Sequence, residues 1–190
     1  MTFSDLPDLF VIFDLEYTTW EGAQERNWTG AGERREVVQM GAILVGRDPL
    51  REEGEFNRFI KPVLNPKLSE FFTDLTGITQ EHIEREGISF PEALEAFSSW
   101  ASDYPLYSWG TGDPEALKEN SAQAGIRFPY EAGRFASMQE VFMALGVPAE
   151  AYTSGTIVRA FGKELSRRQH NALNDVRTIL DGLRELKKRF

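Results

Sequence analysis

Apolar positions divide this chain into short runs. Leu9-Phe10-Val11-Ile12-Phe13 is unbroken and then meets Asp14-Leu15-Glu16-Tyr17-Thr18. A short apolar run of this kind predicts a strand covered on both faces, as in the middle of an α/β sheet. Residues 36–45 predict a second strand. Residues 55–62 alternate at period two and predict a third, with Pro49 and Gly54 punctuating the gap, so two antiparallel connections follow the first strand. Residues 68–75 predict a short helix stopped near Gly77. Thr79 suits the N-cap of a helix from Gln80 with Ile83 inward. Ser89-Phe90-Pro91-Glu92 opens another, with a cap residue, an early proline and an early acid; its inner face is Leu94, Phe97 and Ala101 with Ala93 and Trp100. Residues 104–109 predict a short strand broken at Gly110, after which Asp113 suits an N-cap and Pro114 the first helical residue. Residues 135–145 predict a helix and 156–161 part of one. The longest helix runs from about Asn171 to the end, with Leu173, Val176, Leu180 and Leu183 on one face. Three early strands, then helices interleaved with at least one more strand, predict an α/β fold: a mixed central sheet flanked by helices. No repeat or linker divides the 190 residues, which fit one domain, 1–190, with its core at about 9–183.

Composition narrows the classes. No apolar run is long enough to span a membrane, and the first eight residues lack the pattern of a signal peptide, so a cytoplasmic protein is expected. Cysteine is absent, which removes thiol nucleophiles, disulfides and cysteine-based zinc sites. The formal charge of −9 argues against a protein that coats nucleic acid by bulk electrostatics. Charge is uneven, however. Residues 159–190 hold nine Lys/Arg against four Asp/Glu, leaving twelve against twenty-six in residues 1–158. The basic end suits either a groove for a phosphate backbone or a solvated helix end that complements the helix dipole. Residues 19–35, without periodicity, read as a long loop, functional or mobile. Its Trp20 and Trp28, beside Arg26, Arg34 and Arg35, suit base stacking or the covering of a core edge.

Asp14 and Glu16, two apart on a strand, project to one face. Carboxylates held together resist joint ionisation, and a divalent cation such as Mg²⁺ or Mn²⁺ removes that conflict; the plain alternative is a strand ending in polar residues. Asp113 lies just past a strand end, where α/β sheets place functional groups, though as a lone residue it also suits a helix cap. His170 and Asp175 stand five residues apart at the start of the last helix. Asp14-x-Glu16-x-Thr18, Trp109-Gly110-x-x-Asp113 and His170-x-x-x-x-Asp175 together resemble the three motifs of the DEDDh exonucleases. That family includes the proofreading subunit of bacterial DNA polymerase III, ribonuclease T and the Eri-type RNA exonucleases. Glu36-Val37-Val38-Gln39-Met40-Gly41-Ala42 is similar to the family's second strand, and Leu75-Thr76-Gly77-Ile78-Thr79 to a recurrent segment of it. The resemblance runs from about Leu9 to Leu183, and the Trp-Gly-x-x-Asp form leans to the Eri-type branch. Gly112, where that branch often has a bulky residue, and the length of residues 21–35 depart from it.

The resemblance implies an RNase H-like fold and a 3′-5′ exonuclease using two divalent cations, Mg²⁺ or Mn²⁺, roughly 3.5–4 Å apart. It implies that Asp14 bridges both ions, that Glu16 and Asp175 hold the one carrying the attacking water, and that Asp113 acts mainly through water on the other. His170 becomes the general base, with an ordinary pKa of about 6.5 suited to that task. Thr18, with Leu15 and Tyr17 through their backbone, is expected to contact the terminal nucleotide, although Thr18 also suits an ordinary strand end. Met40 is placed either near the terminal base or in the core. The expected partners are 3′ ends of single-stranded RNA or DNA, RNA ahead of DNA, with no membrane and no obligate protein partner. Two other readings stand beside this one: a phosphohydrolase of small nucleotides or phosphodiesters, and a regulatory nucleic-acid-binding module on the same fold. Phosphate-loop, dinucleotide and serine-hydrolase signatures are missing.

Overall fold

The structure, a computed structural model, describes residues 2–131 and 133–190; Met1, which heads the N-terminal stretch considered above, and Ala132 lie outside the described residues. Strand β1 (Leu9–Tyr17) is the middle of a five-stranded sheet. It pairs antiparallel with β2 (Val37–Arg47), which pairs antiparallel with β3 (Leu50–Phe59). On the other side β1 runs parallel to β4 (Leu106–Ser108), and β4 parallel to β5 (Phe135–Ser137), giving the order β3-β2-β1-β4-β5.

Among the described residues six α-helices flank the sheet: α1 (Glu70–Thr76), α2 (Gln80–Glu86), α3 (Phe90–Ala101), α4 (Gly112–Gln123), α5 (Met138–Ala144) and α6 (Ala172–Lys187). The unbroken apolar run of β1 has a simple cause. Phe10 and Ile12 enter the core formed with Val176, Ile179 and Leu183 of α6, whereas Val11, Phe13 and Leu15 enter the core formed with α3 and α4. Continuing the alternation, Asp14 and Glu16 fall on the α6 side. Among the described residues no helix is long and apolar enough to cross a membrane.

Local signals set most helix ends. Ser69, Thr79 and Ser89 accept the backbone N–H groups of Phe72, His82 and Glu92, and Gly77 closes α1 in the left-handed conformation. Elsewhere the structure corrects the sequence. Gly54 lies within β3 at a bulge, since Leu44 pairs with Gly54 but Val45 with Glu52; a strand glycine marks a bulge as readily as a break. Residues 135–137 form a strand and only then α5, capped by Ser137. Residues 157–161 form a 3₁₀ turn. Helix α4 begins before Asp113, with Thr111 at its N-cap, so Asp113 belongs to the first helical turn and its carboxylate is free of the capping role.

Helix α6 lies directly on β2 because Gly41 lets it. A Cβ at Gly41 would stand 2.4 Å from the Leu173 nitrogen, and Gly41 is the cross-strand partner of Asp14. Gln39 holds the same junction: its Oε1 accepts the Ala172 N–H at 3.0 Å while its Nε2 donates to Asn57 at 2.9 Å. The first turn of α6 is thereby fixed beside the end of β1.

Candidate active site

That fixed junction gathers the carboxylates. Oxygen atoms of Asp14, Glu16 and Asp175 lie within 4.8 Å of one another. All three residues are buried, as is Asp113, which reaches the same cleft from the first turn of α4. Burial alone raises the pKa of every one of them. For Asp14 and Glu16, repulsion from the neighbouring acids adds to it, and both lie well above the usual carboxylate range. Asp113 is pushed up to about 7 by burial, with the Arg35 guanidinium pulling the other way, and Asp175 to about 7, opposed by its hydrogen bond from the His170 backbone. The Oδ1 atom of Asp175 is buried without a hydrogen-bond partner. Four buried acids, an orphaned oxygen among them, are a costly arrangement without a counter-charge. The set fits divalent cations that prefer oxygen ligands.

His170 borders this cluster. Its backbone takes a left-handed φ of 57°, uncommon for a residue with a side chain, and its N–H donates to Asp175 Oδ2 at 3.2 Å. Burial, then the nearby Arg168 guanidinium, lower the pKa of its imidazole. The ring lines the cleft and is neutral near neutral pH. A loop crossing the other side brings Ser154 into the cleft with Asp14, and Gly155 passes so close to Asp175 that a Cβ there would meet Oδ1 at 2.7 Å.

The cleft has a volume of about 520 Å³. Leu15 and Tyr17 line it; Thr18 and Met40 do not. Thr18 is buried, its hydroxyl donating to the Arg34 carbonyl at 2.6 Å and accepting the Glu36 N–H at 3.0 Å. These two hydrogen bonds tie together the ends of the long loop and leave the hydroxyl one free lone pair. Met40 is fully buried among Leu15, Val37 and other core side chains. Leu75 and Trp109, which stand in the quoted motifs, also line the cleft, as do Phe71 of α1 and Tyr152 of the crossing loop, which no motif singled out. Phe71 stood out only as a second phenylalanine beside the buried Phe72, and it is 40% exposed.

Residues 19–35 form an irregular wall held by specific contacts. The Trp28 indole N–H donates to the Thr18 carbonyl at 2.9 Å, its ring meets Tyr17 edge-on, and the Arg35 guanidinium lies 5.5 Å and 5.3 Å from the Tyr17 and Trp28 ring centres. Trp20 and Trp28 both line the cleft, Trp28 pinned in place by these contacts.

The family model described as exonuclease, RNase T type, matches residues 11–183. Human ERI1 exoribonuclease 2 is 24% identical over 90% of this chain and 27% of its own length. Rat 3′-5′ exoribonuclease 1 is 25% identical over 90% of this chain and 51% of its own. This chain therefore spans about a quarter to a half of these curated relatives. Among solved structures, the nuclease domain of 3′hExo, a DEDDh family member bound to rAMP, superposes with a TM-score of 0.81 at 23% identity, covering 95% of this chain and 92% of that one.

Proposed function

The chain belongs to the RNase T exonuclease family, and from that membership we propose that it is a metal-dependent enzyme removing nucleotides from the 3′ ends of single-stranded nucleic acid, RNA ahead of DNA. The observation that carries the proposal is the convergence of Asp14, Glu16 and Asp175 within 4.8 Å beside His170. The names of the exoribonuclease relatives support the choice of RNA and of the 3′ end.

In this reading residues 1–190 act as one catalytic domain in the cytoplasm. Asp14, Glu16, Asp113 and Asp175 hold two divalent cations, Mg²⁺ or Mn²⁺. Such ions, when bound, supply Lewis-acid stabilisation of phosphoryl oxygens and lower the pKa of water. The protein's share is position and protonation. Closely spaced acids define the ligand set, and Gln39 with Gly41 fixes Asp175 against Asp14. His170, neutral because burial and Arg168 hold its pKa down, accepts a proton from water at an imidazole nitrogen as general base. Leu15 and Tyr17 on one side, Phe71 and Leu75 on another, form the wall against the terminal nucleotide.

The test is a time course on 3′- and 5′-labelled single strands, RNA and DNA in parallel, with Mg²⁺, Mn²⁺ or EDTA. A metal-dependent ladder shortening from the 3′ end, lost in Asp14→Ala, is the expected result. A ladder shortening from the 5′ end, internal cuts, or undiminished cleavage in EDTA would overturn it.

A further inference from the structure

A cleft meant for a polyanion is expected to carry cations. This one carries none: of the 22 residues lining it, none is lysine or arginine among the described residues, whereas Asp14, Glu16, Glu25, Asp113 and Asp175 are acidic. The nearby cations are engaged within the protein. Arg26 pairs with Glu33. Arg35 pairs with Glu119 at 2.8 Å while stacked on two rings, which leaves its side chain 10% exposed. Arg168, two positions before His170, donates to the Asp74 carbonyl at 2.7 Å at the end of α1.

The basic C-terminal segment does not supply the missing charge. Arg177 pairs with Glu52 at 2.8 Å, Arg184 with Asp181 at 2.8 Å and Lys187 with Asp48 at 2.8 Å. Arg184 and Lys187 also donate to the carbonyls of Leu50 and Arg47, at the β2–β3 turn, next to the start of β1, since Leu9 pairs with Gly46. The cleft opens at the other end of β1. Seven residues of strand separate Leu9 from Glu16, roughly 23 Å at about 3.3 Å per residue. The basic end of α6 therefore lies away from the cleft.

What the cleft offers is a stacking face. Trp20, half-buried, lines it. Unlike that of Trp28, its indole N–H makes no hydrogen bond among the described residues. A volume of about 520 Å³ is that of a small-ligand site, with room for a nucleotide or two.

Resting on the exonuclease reading, we propose that this enzyme grips only the last few nucleotides of a strand, through a base stacked on Trp20 and phosphates held at the carboxylate-bound cations. Short oligonucleotides are then its substrate class, bound as tightly as long strands. No contact of the cleft rewards additional length.

The test is fluorescence-anisotropy binding of the 190-residue protein to labelled RNA strands of about three and about twenty nucleotides, with Ca²⁺ in place of Mg²⁺, at about 50 and about 200 mM salt. The expected result is affinity within about threefold for the two lengths, and a log–log salt slope no steeper than about −1.4, that of two phosphates on a single strand. Trp20→Ala should weaken both lengths alike, by roughly 5–100-fold. Glu25→Lys, an exposed change among the acids of the cleft, should tighten both lengths alike and steepen the salt slope of each. A long strand bound tenfold or more tightly than the short one, or no binding of either, overturns the inference. Turnover of the same strands in Mg²⁺ is scored separately: equal binding without cleavage would sink the exonuclease reading and leave this one standing.

Discussion

Asp175 is fixed by the fold where its charge is least favoured. Its Oδ2 accepts the His170 N–H, its Oδ1 has no partner, and burial lifts its pKa to about 7. Asp113 is lifted to about 7 as well. In the metal-free protein the native state therefore keeps protons that the unfolded chain, with carboxylate pKa values near 4, has already released. Stability from these groups is fully present below about pH 4 and is lost as pH rises to about 7. Asp175→Asn keeps an acceptor for His170 and removes the charge. Its metal-free melting temperature should exceed that of the wild type at pH 8, match it near pH 4, and gain less from Mn²⁺; scanning calorimetry across pH checks this, and a lower melting temperature at pH 8 would count against it. His170→Ala should cut turnover by roughly 10²–10⁴-fold while calorimetric Mn²⁺ binding stays near the wild-type value; loss of both together would make His170 a ligand. Residue types were legible where a local rule governed them, as with Asp14 and Glu16 on one strand face. The surroundings of Thr18 were not, because Arg34 and Glu36, which its hydroxyl bonds, lie across a loop whose path no local pattern gives.

At the scale of elements, the site depends on how closely α6 lies on β2. An added methyl at Gly41 would meet backbone atoms of Ala172 and Leu173 at 2.6 Å and 2.4 Å, and backbone in a helix docked on a sheet cannot swing aside as a side chain does. Gly41→Ala should therefore cost about 1–3 kcal/mol, the usual penalty of overpacking, read from the denaturation midpoint. It should also weaken Mn²⁺ binding, because Asp175 moves with the helix; a variant equally stable, with unchanged metal affinity, would show that the junction has slack. The helices were legible through their caps: Thr79 and Ser89 each perform the predicted role. Strands were less so. β5 has three residues, too few for an alternating pattern to register, and the sequence around it reads as helix because α5 follows at once. Gly54 looked like a break because bulge and turn share the same local signal.

For the whole molecule, metal binding, proton release and folding are one linked equilibrium. The native carboxylate cluster holds protons near neutral pH, since burial raises Asp14, Glu16, Asp113 and Asp175 together and repulsion from neighbouring acids adds to it for the first three. Cation ligands must be deprotonated, so binding expels those protons and affinity rises with pH. The bound ion acts on the native state only, and stabilises it by about 2.7 kcal/mol at a hundredfold excess over Kd. Two consequences can be measured on the same sample. Titration calorimetry with Mn²⁺ at about pH 6.5, repeated in buffers of different ionisation enthalpy, should report at least about one proton released per binding event, declining as pH is raised above the native carboxylate range. The rise in melting temperature at fixed Mn²⁺ should be larger at pH 8 than at pH 6, opposite in sign to the metal-free trend. The exposed acids with lowered pKa values, such as Glu86 and Glu92, cannot imitate this: their pairing is lost only as pH falls through the acid range. Proton release that stays at zero across pH would mean that the cluster is already ionised without metal, and that the protein balances its charge by some group other than a bound cation.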